Sequence, residues 1–301
     1  MTLVLAGHAF ELEEDLWGDT PAEDRAYVEV GVFVLCDSAI STLDGRQTLD
    51  DDFQKIRRIQ VMVREPQFYP DGHFNRYGPA TIAGSVDVAF AGSALSAQAV
   101  FERAAAMLSD LRVSCDRSSL DGSLLYVLRS ADERNPLTEG GAVRTWGDDT
   151  FTPADMAAIS IQGAVADCLK RAIEDTFAAK RRICTSIEQF RSWRAEFVSA
   201  SWCRRASTAR LNLYRLAEAQ DADGLLYFAV GQQEIPAGDL AVLGMRNEFE
   251  ASAQACFNRA REGRTATIDA MREFMTRSIE QHRITGSREI GLPVREVRIP
   301  V

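Results

Sequence analysis

Thr2-Leu3-Val4-Leu5-Ala6-Gly7, directly after Met1, and Ala26-Tyr27-Val28-Glu29-Val30-Gly31-Val32-Phe33-Val34-Leu35-Cys36 are the two stretches on which the fold turns. The first opens a buried strand over residues 2–10. The second, rich in β-branched and aromatic residues, reads as a strand over 26–36. Between them the acidic segment Glu11 to Arg25, carrying Gly18 and Pro21, reads as an enlarged hairpin connection. If Met1 is removed, the first strand begins on a threonine with a free α-amine. A hydroxyl alone is a poor nucleophile, but an α-amino group has an unperturbed pKa of roughly 7.7–8.0 and accepts the hydroxyl proton near neutral pH. Thr2 would then be nucleophile and base at once, although Met-Thr also opens many chains with no such chemistry.

Working outward, a third strand is expected over Ile56 to Val63 and a fourth from Val86 to Phe90. The Pro/Gly/Tyr-rich stretch between them, Arg64 to Gly84, reads as a loop far longer than a hairpin link. The period then becomes helical: Ala97, Val100, Phe101, Ala104, Met107, Leu108 and Leu111 form one stripe, and Met156, Ile159, Val165, Leu169, Ile173 and Phe177 a second. Their connection, Arg112 to Pro153, carries Asp121-Gly122, Asn135-Pro136 and Gly140-Gly141 and reads as a surface insertion with a short strand at Leu124 to Leu128. The stretch from Lys170 to Arg210 holds Lys180, Arg181, Arg182, Arg191, Arg194, Arg204 and Arg205 interleaved with Phe190, Trp193, Phe197 and Trp202. It reads as a helix with a solvated basic face and an aromatic core face, in preference to a nucleic-acid groove. Strand patterns return at Ala209 to Leu216, Leu225 to Val230 and Leu240 to Leu243. Two helical stripes follow, through Phe249, Ala253, Cys256, Phe257, Ala260 and through Ile268, Met271, Phe274, Met275, Ile279, and a last strand runs from Pro293 to Ile299. The order implies an α+β fold: a four-layer αββα sandwich of two antiparallel sheets flanked by helix pairs. The expected organisation is a single domain over 1–301, with insertions at about 11–25, 64–84 and 112–153.

The totals set limits. With 301 residues, 46% apolar and 26% charged, the chain can bury a large core, and a net charge of −10 opposes general nucleic-acid binding. The N-terminal apolar run is short, lacks a basic leader and is followed by Glu11, Glu13, Glu14 and Asp15, so neither a signal peptide nor a membrane segment is expected. Six cysteines without a CxxC pair read as reduced thiols of a cytoplasmic protein. His8, His73 and His282 share no ligand spacing, so no metal and no cofactor are expected.

Four motifs in this order resemble the proteasome-type N-terminal nucleophile hydrolases. Gly31-Val32-Phe33-Val34-Leu35-Cys36-Asp37-Ser38 is similar to the family's second strand and its site aspartate. Gln54-Lys55-Ile56-Arg57-Arg58-Ile59 is similar to the segment carrying the family's lysine, most of all in the bacterial proteasome-like protease that works with a ring ATPase. Ala89-Phe90-Ala91-Gly92-Ser93 is similar to the strand end and turn shaping the cleft, and Asp239-Leu240-Ala241-Val242-Leu243-Gly244 to the strand before the third helix. The resemblance implies Thr2 as nucleophile, Lys55 lowering the hydroxyl pKa, Asp37 holding Lys55 and the Gly92 N–H as oxyanion donor. Taken singly, Asp37 is a turn residue, Lys55 a solvated charge and Gly92 a turn before a helix. The resemblance departs at Gly244-Met245-Arg246-Asn247, where the family carries a serine, and at His282 to Arg288, where only Ser287 could stand for its Asp and Ser pair. It implies a cytoplasmic threonine peptidase subunit in a homo-oligomeric ring or stack, with peptide or unfolded-protein substrate and a ring ATPase as candidate partner. Two alternatives stay open: a non-catalytic scaffold or partner-binding subunit of the same fold, and a hydrolase of a small amide.

Overall fold

β1 (Leu3–Leu12) is apolar along its first half because both of its faces are covered. Val4 and Ala6 enter a cluster with Ala89, Val198, Ala200 and Leu213, and Leu3 and Leu5 enter another with Val242, Phe257 and Met271. The computed structural model that shows this describes residues 2–14, 21, 23–41, 47–71, 73–117, 124–135 and 151–300. Met1, residues 15–20 and 22 of the acidic segment and the turn signals at Asp121-Gly122, Pro136 and Gly140-Gly141 lie outside the described residues.

The chain is mixed α+β, with two principal sheets and, among the described residues, six helices. β1 pairs antiparallel with β2 (Tyr27–Cys36), flanked by β12 (Leu240–Gly244) and β13 (Arg295–Pro300), in the order β12-β1-β2-β13. A register shift between Ala9 and Phe10 absorbs the irregular end of this hairpin and leaves Val4 opposite Cys36. The second sheet has seven strands, in the order β11-β10-β9-β6-β5-β7-β8: β5 (Ile56–Phe68), β6 (Phe74–Gly92), β7 (Leu111–Arg117), β8 (Leu124–Arg129), β9 (Ala195–Cys203), β10 (Thr208–Gln220) and β11 (Leu226–Glu234). A small pair, β3 (Ile40–Ser41) and β4 (Thr48–Asp50), lies between β2 and β5 in sequence.

Three expectations need correction. The larger sheet is not wholly antiparallel: β7 runs parallel to β5 through Val63↔Leu111 and Arg64↔Arg112, where the end of helix α1 (Ala94–Leu108) delivers the chain to the outer edge of β5. The stretch from Arg64 to Gly84 is not a loop but the greater part of a long hairpin. Its prolines and glycines are absorbed by register shifts at Val61/Met62, Arg64/Pro66 and Gln67/Phe68. The basic stretch from Lys170 to Arg210 is not one helix. It divides into the end of α3 (Gln162–Ile183), α4 (Ile187–Ser192) and β9, and Arg181, Arg191 and Arg205 face Asp221, Glu218 and Glu65.

α1 and α3 cover the seven-stranded sheet, burying Val100, Phe101, Ala104, Leu169, Ile173 and Phe177. α5 (Arg246–Glu262) and α6 (Thr267–Ile284) cover the four-stranded sheet with Ala253, Phe257, Met271, Met275 and Ile279. The remaining helix is the short α2 (Pro153–Ala158), begun by a Thr152/Asp155 capping box. Each fully buried Leu, Ile or Phe contributes about 1.5–3 kcal/mol of apolar transfer. The faces that carry them therefore fix the helices in place. Among the described residues, no helix is long and apolar enough to cross a membrane.

Candidate functional site

The side-chain period of two puts Thr2 on the same face of its strand as Val4 and Ala6, turned toward the other sheet. Lys55 arrives from that sheet, one residue before β5, and Asp37 follows β2 directly. The two sheets thus bring three residues together from separate strand ends. The Lys55 Nζ donates to Thr2 Oγ1 over 3.1 Å and to both oxygens of Asp37, each at 2.9 Å. Thr2 is 4% exposed, Asp37 0% and Lys55 1%.

Asp37 is further held by backbone. Its Oδ1 accepts the Leu3 N–H at 2.9 Å, and its Oδ2 accepts those of Ala39 at 3.0 Å and Gly291 at 3.2 Å. Burial pushes this carboxyl up, and the Lys55 ammonium and the Leu3 N–H act against it. Every neighbour is a donor, so an O–H on Asp37 would point at another hydrogen. The ionised, acceptor-only form is the one this environment fits. The neighbouring Cys36 thiol is pushed up to about 12 by burial and the Asp37 charge, and is inert at neutral pH.

The Thr2 backbone is fixed as well. Its carbonyl accepts the Met245 N–H at 3.1 Å, and the preceding Gly244 has φ +83, with a Cβ there landing 1.8 Å from Thr2 O. Glycine is required at that approach. The Met245 side chain is 6% exposed and sits in the apolar cluster with Leu3, Phe249 and Met275, so no hydroxyl is offered at this position. Gly92 ends β6 with φ +113, paired to Ala195, and its neighbour Ala91 lies 3.2 Å from the Cβ position of Gly244. That places the end of β6 beside the Thr2–Gly244 junction. Ser287 accepts the Glu289 N–H at 3.4 Å.

Sequence reasoning did not single out Gly291, whose N–H reaches Asp37 and whose carbonyl accepts the Ser38 N–H at 3.1 Å. Its one visible signal was its place just before Leu292-Pro293 and the last strand. A cleft of about 390 Å³ is lined by Phe53, Gln54, Ile56, Phe90, Ala94 and Gln98, among others, and so borders Lys55 in the chain. A larger cavity, about 520 Å³, lies between β8, α2 and the start of α3, lined by residues remote in sequence from Thr2, Asp37 and Lys55. The smaller one is the candidate cleft because its lining residues Gln54 and Ile56 flank Lys55 in the chain. Among the described residues, no group of three or more His, Cys, Asp or Glu is placed to hold a metal.

No protein-family model and no curated protein matches the chain. Among solved structures it is similar to Anbu (ancestral beta-subunit) from Yersinia bercovieri, at 11% identity and a TM-score of 0.48, over 100% of this chain and 82% of that one. It is also similar to Anbu from Hyphomicrobium sp. strain MC1, at 11% identity and a TM-score of 0.43, over 99% and 82% of the two chains. A Gly-1 mutant of the latter gives 10%, 0.42, 100% and 82%. At these scores the likeness assigns neither activity nor assembly to this chain. It does correct the family placement read from the sequence: the structures found are Anbu chains, not the bacterial proteasome-like peptidase subunits, and no family model supports the proteasome-type N-terminal nucleophile hydrolases. The motifs that suggested them are short strand-and-turn segments, which chains of two sheets and paired helices can produce in the same order.

Proposed function

We propose that this chain hydrolyses an amide bond with Thr2 as nucleophile, once removal of Met1 has freed its α-amine. One observation carries the reading: a buried ammonium, Lys55 Nζ, lies 3.1 Å from Thr2 Oγ1 and is held there by both oxygens of Asp37. A cation so placed favours the alkoxide form of the hydroxyl, more strongly in a dry site than in water. The α-amine takes the Oγ1 proton as Oγ1 bonds to the substrate carbonyl carbon, and the carbonyl oxygen becomes an oxyanion, for which the Gly92 N–H is the proposed donor. The protonated α-amine then gives that proton to the leaving nitrogen as the C–N bond breaks. Water, deprotonated by the same amine, splits the remaining ester and returns the proton to Oγ1.

A peptide is the proposed substrate, with the cleft lined by Phe90, Ala94 and Gln98 taking one of its side chains. The cluster between the sheets and the two clusters beneath the helix pairs support a four-layer αββα arrangement. Leu95, Ile183 and Ile284, 75%, 70% and 84% exposed on α1, α3 and α6, support a homo-oligomer. A second reading, a non-catalytic subunit of the same fold, is favoured by Met245, whose thioether offers the α-amine no hydrogen-bond donor.

The test is intact mass before and after incubation with a peptide epoxyketone, which requires both the hydroxyl and the α-amine of a terminal threonine. Loss of Met1 and one stoichiometric adduct, absent in Thr2→Ala, are expected. Retained Met1 without an adduct, or an adduct that persists in Thr2→Ala, would sink the reading.

A further inference from the structure

Beyond the Thr2, Lys55 and Asp37 contacts, one histidine stands between two carboxylates. His282, in the last turn of α6, has Nε2 3.2 Å from Glu289 Oε2 and Nδ1 3.4 Å from Glu248 Oε1 on α5. Its side chain is 11% exposed, and its ring stands edge-on to Phe249 at 6.4 Å between centroids. Both ring nitrogens face acceptors. A neutral imidazole carries one N–H, so only the imidazolium can donate to both.

Glu289 begins a strap that ends on the site. Ile290, 1% exposed, is anchored in the cluster with Leu3, Met275 and Ile279, and Gly291 donates its N–H to Asp37 Oδ2 and accepts the Ser38 N–H. The strap is therefore tied at one end by His282 and at the other by Asp37, with a buried apolar plug between. The Arg283 guanidinium of α6 also lies against the strap, 3.4 Å from where a Cβ on Gly291 would stand, and Arg288 precedes Glu289 in the chain.

We propose that His282 is a positioning residue for the reactive threonine: by bridging Glu248 and Glu289 it fixes the strap whose Gly291 N–H orients Asp37, and through Asp37 the Lys55 ammonium against Thr2 Oγ1. The consequence for reactivity rests on the nucleophile reading above; the hold on Asp37 does not. Two readouts separate them. Hydrogen exchange followed by mass spectrometry, resolved to the Gly291 amide, reports the strap, and the rate of epoxyketone adduct formation reports Thr2. In the full-length chain, His282→Gln and the milder Glu289→Gln should each lower protection at Gly291 by at least about tenfold, the scale of losing a charge-assisted hydrogen bond. Amides in the core of α6, such as that of Met275, should keep theirs. His282→Lys places a donor to both carboxylates at the same position and should restore Gly291 protection. Adduct formation should slow and recover in step. Unchanged protection in both glutamine variants, or loss as deep in His282→Lys as in His282→Gln, would overturn the inference. The expected protection pattern with no adduct in any protein would support the strap and overturn the nucleophile reading.

Discussion

Asp37→Asn is nearly isosteric, yet it should be among the costliest single changes in this chain. The carboxylate accepts backbone N–H groups from Leu3, Ala39 and Gly291 and takes Lys55 Nζ on both oxygens. Asparagine replaces one acceptor oxygen with an NH2 that faces donors and leaves a 1% exposed ammonium without its counter-charge. Removing one partner from a buried pair costs about 3–5 kcal/mol, most of it the stranded charge. Unfolding entropy of about 2.1 cal/mol/K per residue gives roughly 0.6 kcal/mol/K for a chain of this length, so a loss near 4 kcal/mol lowers Tm by about 6 °C. The decisive comparison is Asp37→Asn with Lys55→Met, which removes both charges and fills the lysine's volume with an apolar chain. Thermal and urea unfolding at pH 7 should show the double variant more stable than Asp37→Asn alone, with a coupling of at least about 2 kcal/mol. A loss below about 1 kcal/mol for Asp37→Asn, the level of a surface pair, or strict additivity in the double variant would refute the claim that Asp37 holds a buried cation.

Two further outcomes follow from the same geometry. Gly244→Ala should cost more than about 3 kcal/mol, because the new Cβ meets Thr2 O at 1.8 Å, whereas Gly286→Ala, at φ +86 with open space around it, should cost only the roughly 1–2 kcal/mol of left-handed backbone; equal losses in urea unfolding would contradict this. The Cys36 thiol, pushed up to about 12 and fully buried, should resist maleimide at pH 8 in the native protein and react once the chain is unfolded, and native labelling at the rate of an exposed thiol, seen by peptide mapping, would contradict it.

How much of this was legible varied with how side chains are used. β1 and β2 were readable because two covered faces leave their inner halves apolar, and α1, α5 and α6 because each shows a stripe at helical spacing. β9 was not, since its buried interior includes Ser199 and Ser201, satisfied by Tyr214 Oη and the Arg210 carbonyl, and it follows a basic run that looked helical. The inner ends of β5 and β6 were readable, but the rest of their hairpin, Arg64 to Gly84, reads as a loop because Pro66, Gly78 and Pro79 weaken a strand pattern that bulges can accommodate. At the site, Thr2 was legible from its place after Met1, whereas Asp37 and Lys55 were named only through the resemblance, since a strand-ending aspartate and a lone lysine carry no signal of their own; the structure brings the three together. Gly291 acts through a backbone N–H, 254 residues from Asp37, and such a group leaves no mark in composition or spacing.

The burial of a charge pair at 0–1% exposure needs a physical source of solvation, and the positions of these residues supply it. Within a strand each N–H and C=O is committed to the ladder and cannot serve a side chain. Thr2 precedes β1, Asp37 follows β2 and Lys55 precedes β5, so all three stand where ladders end. There the N–H groups of Leu3, Ala39 and Gly291 are free to point at one carboxylate, and they replace the water that burial removes. The same strand ends fix the β1–β2 register, because Asp37 N–H also donates to Leu3 O at 3.1 Å, and Lys55, from the start of β5, ties the second sheet to them through Thr2 and Asp37. The Thr2–Lys55–Asp37 geometry is therefore tied to sheet register. A one-residue slip of β1 would turn Thr2 toward α5 and α6 and carry Leu3 N–H away from Asp37, leaving Lys55 with neither its acceptor hydroxyl nor a fully solvated counter-ion.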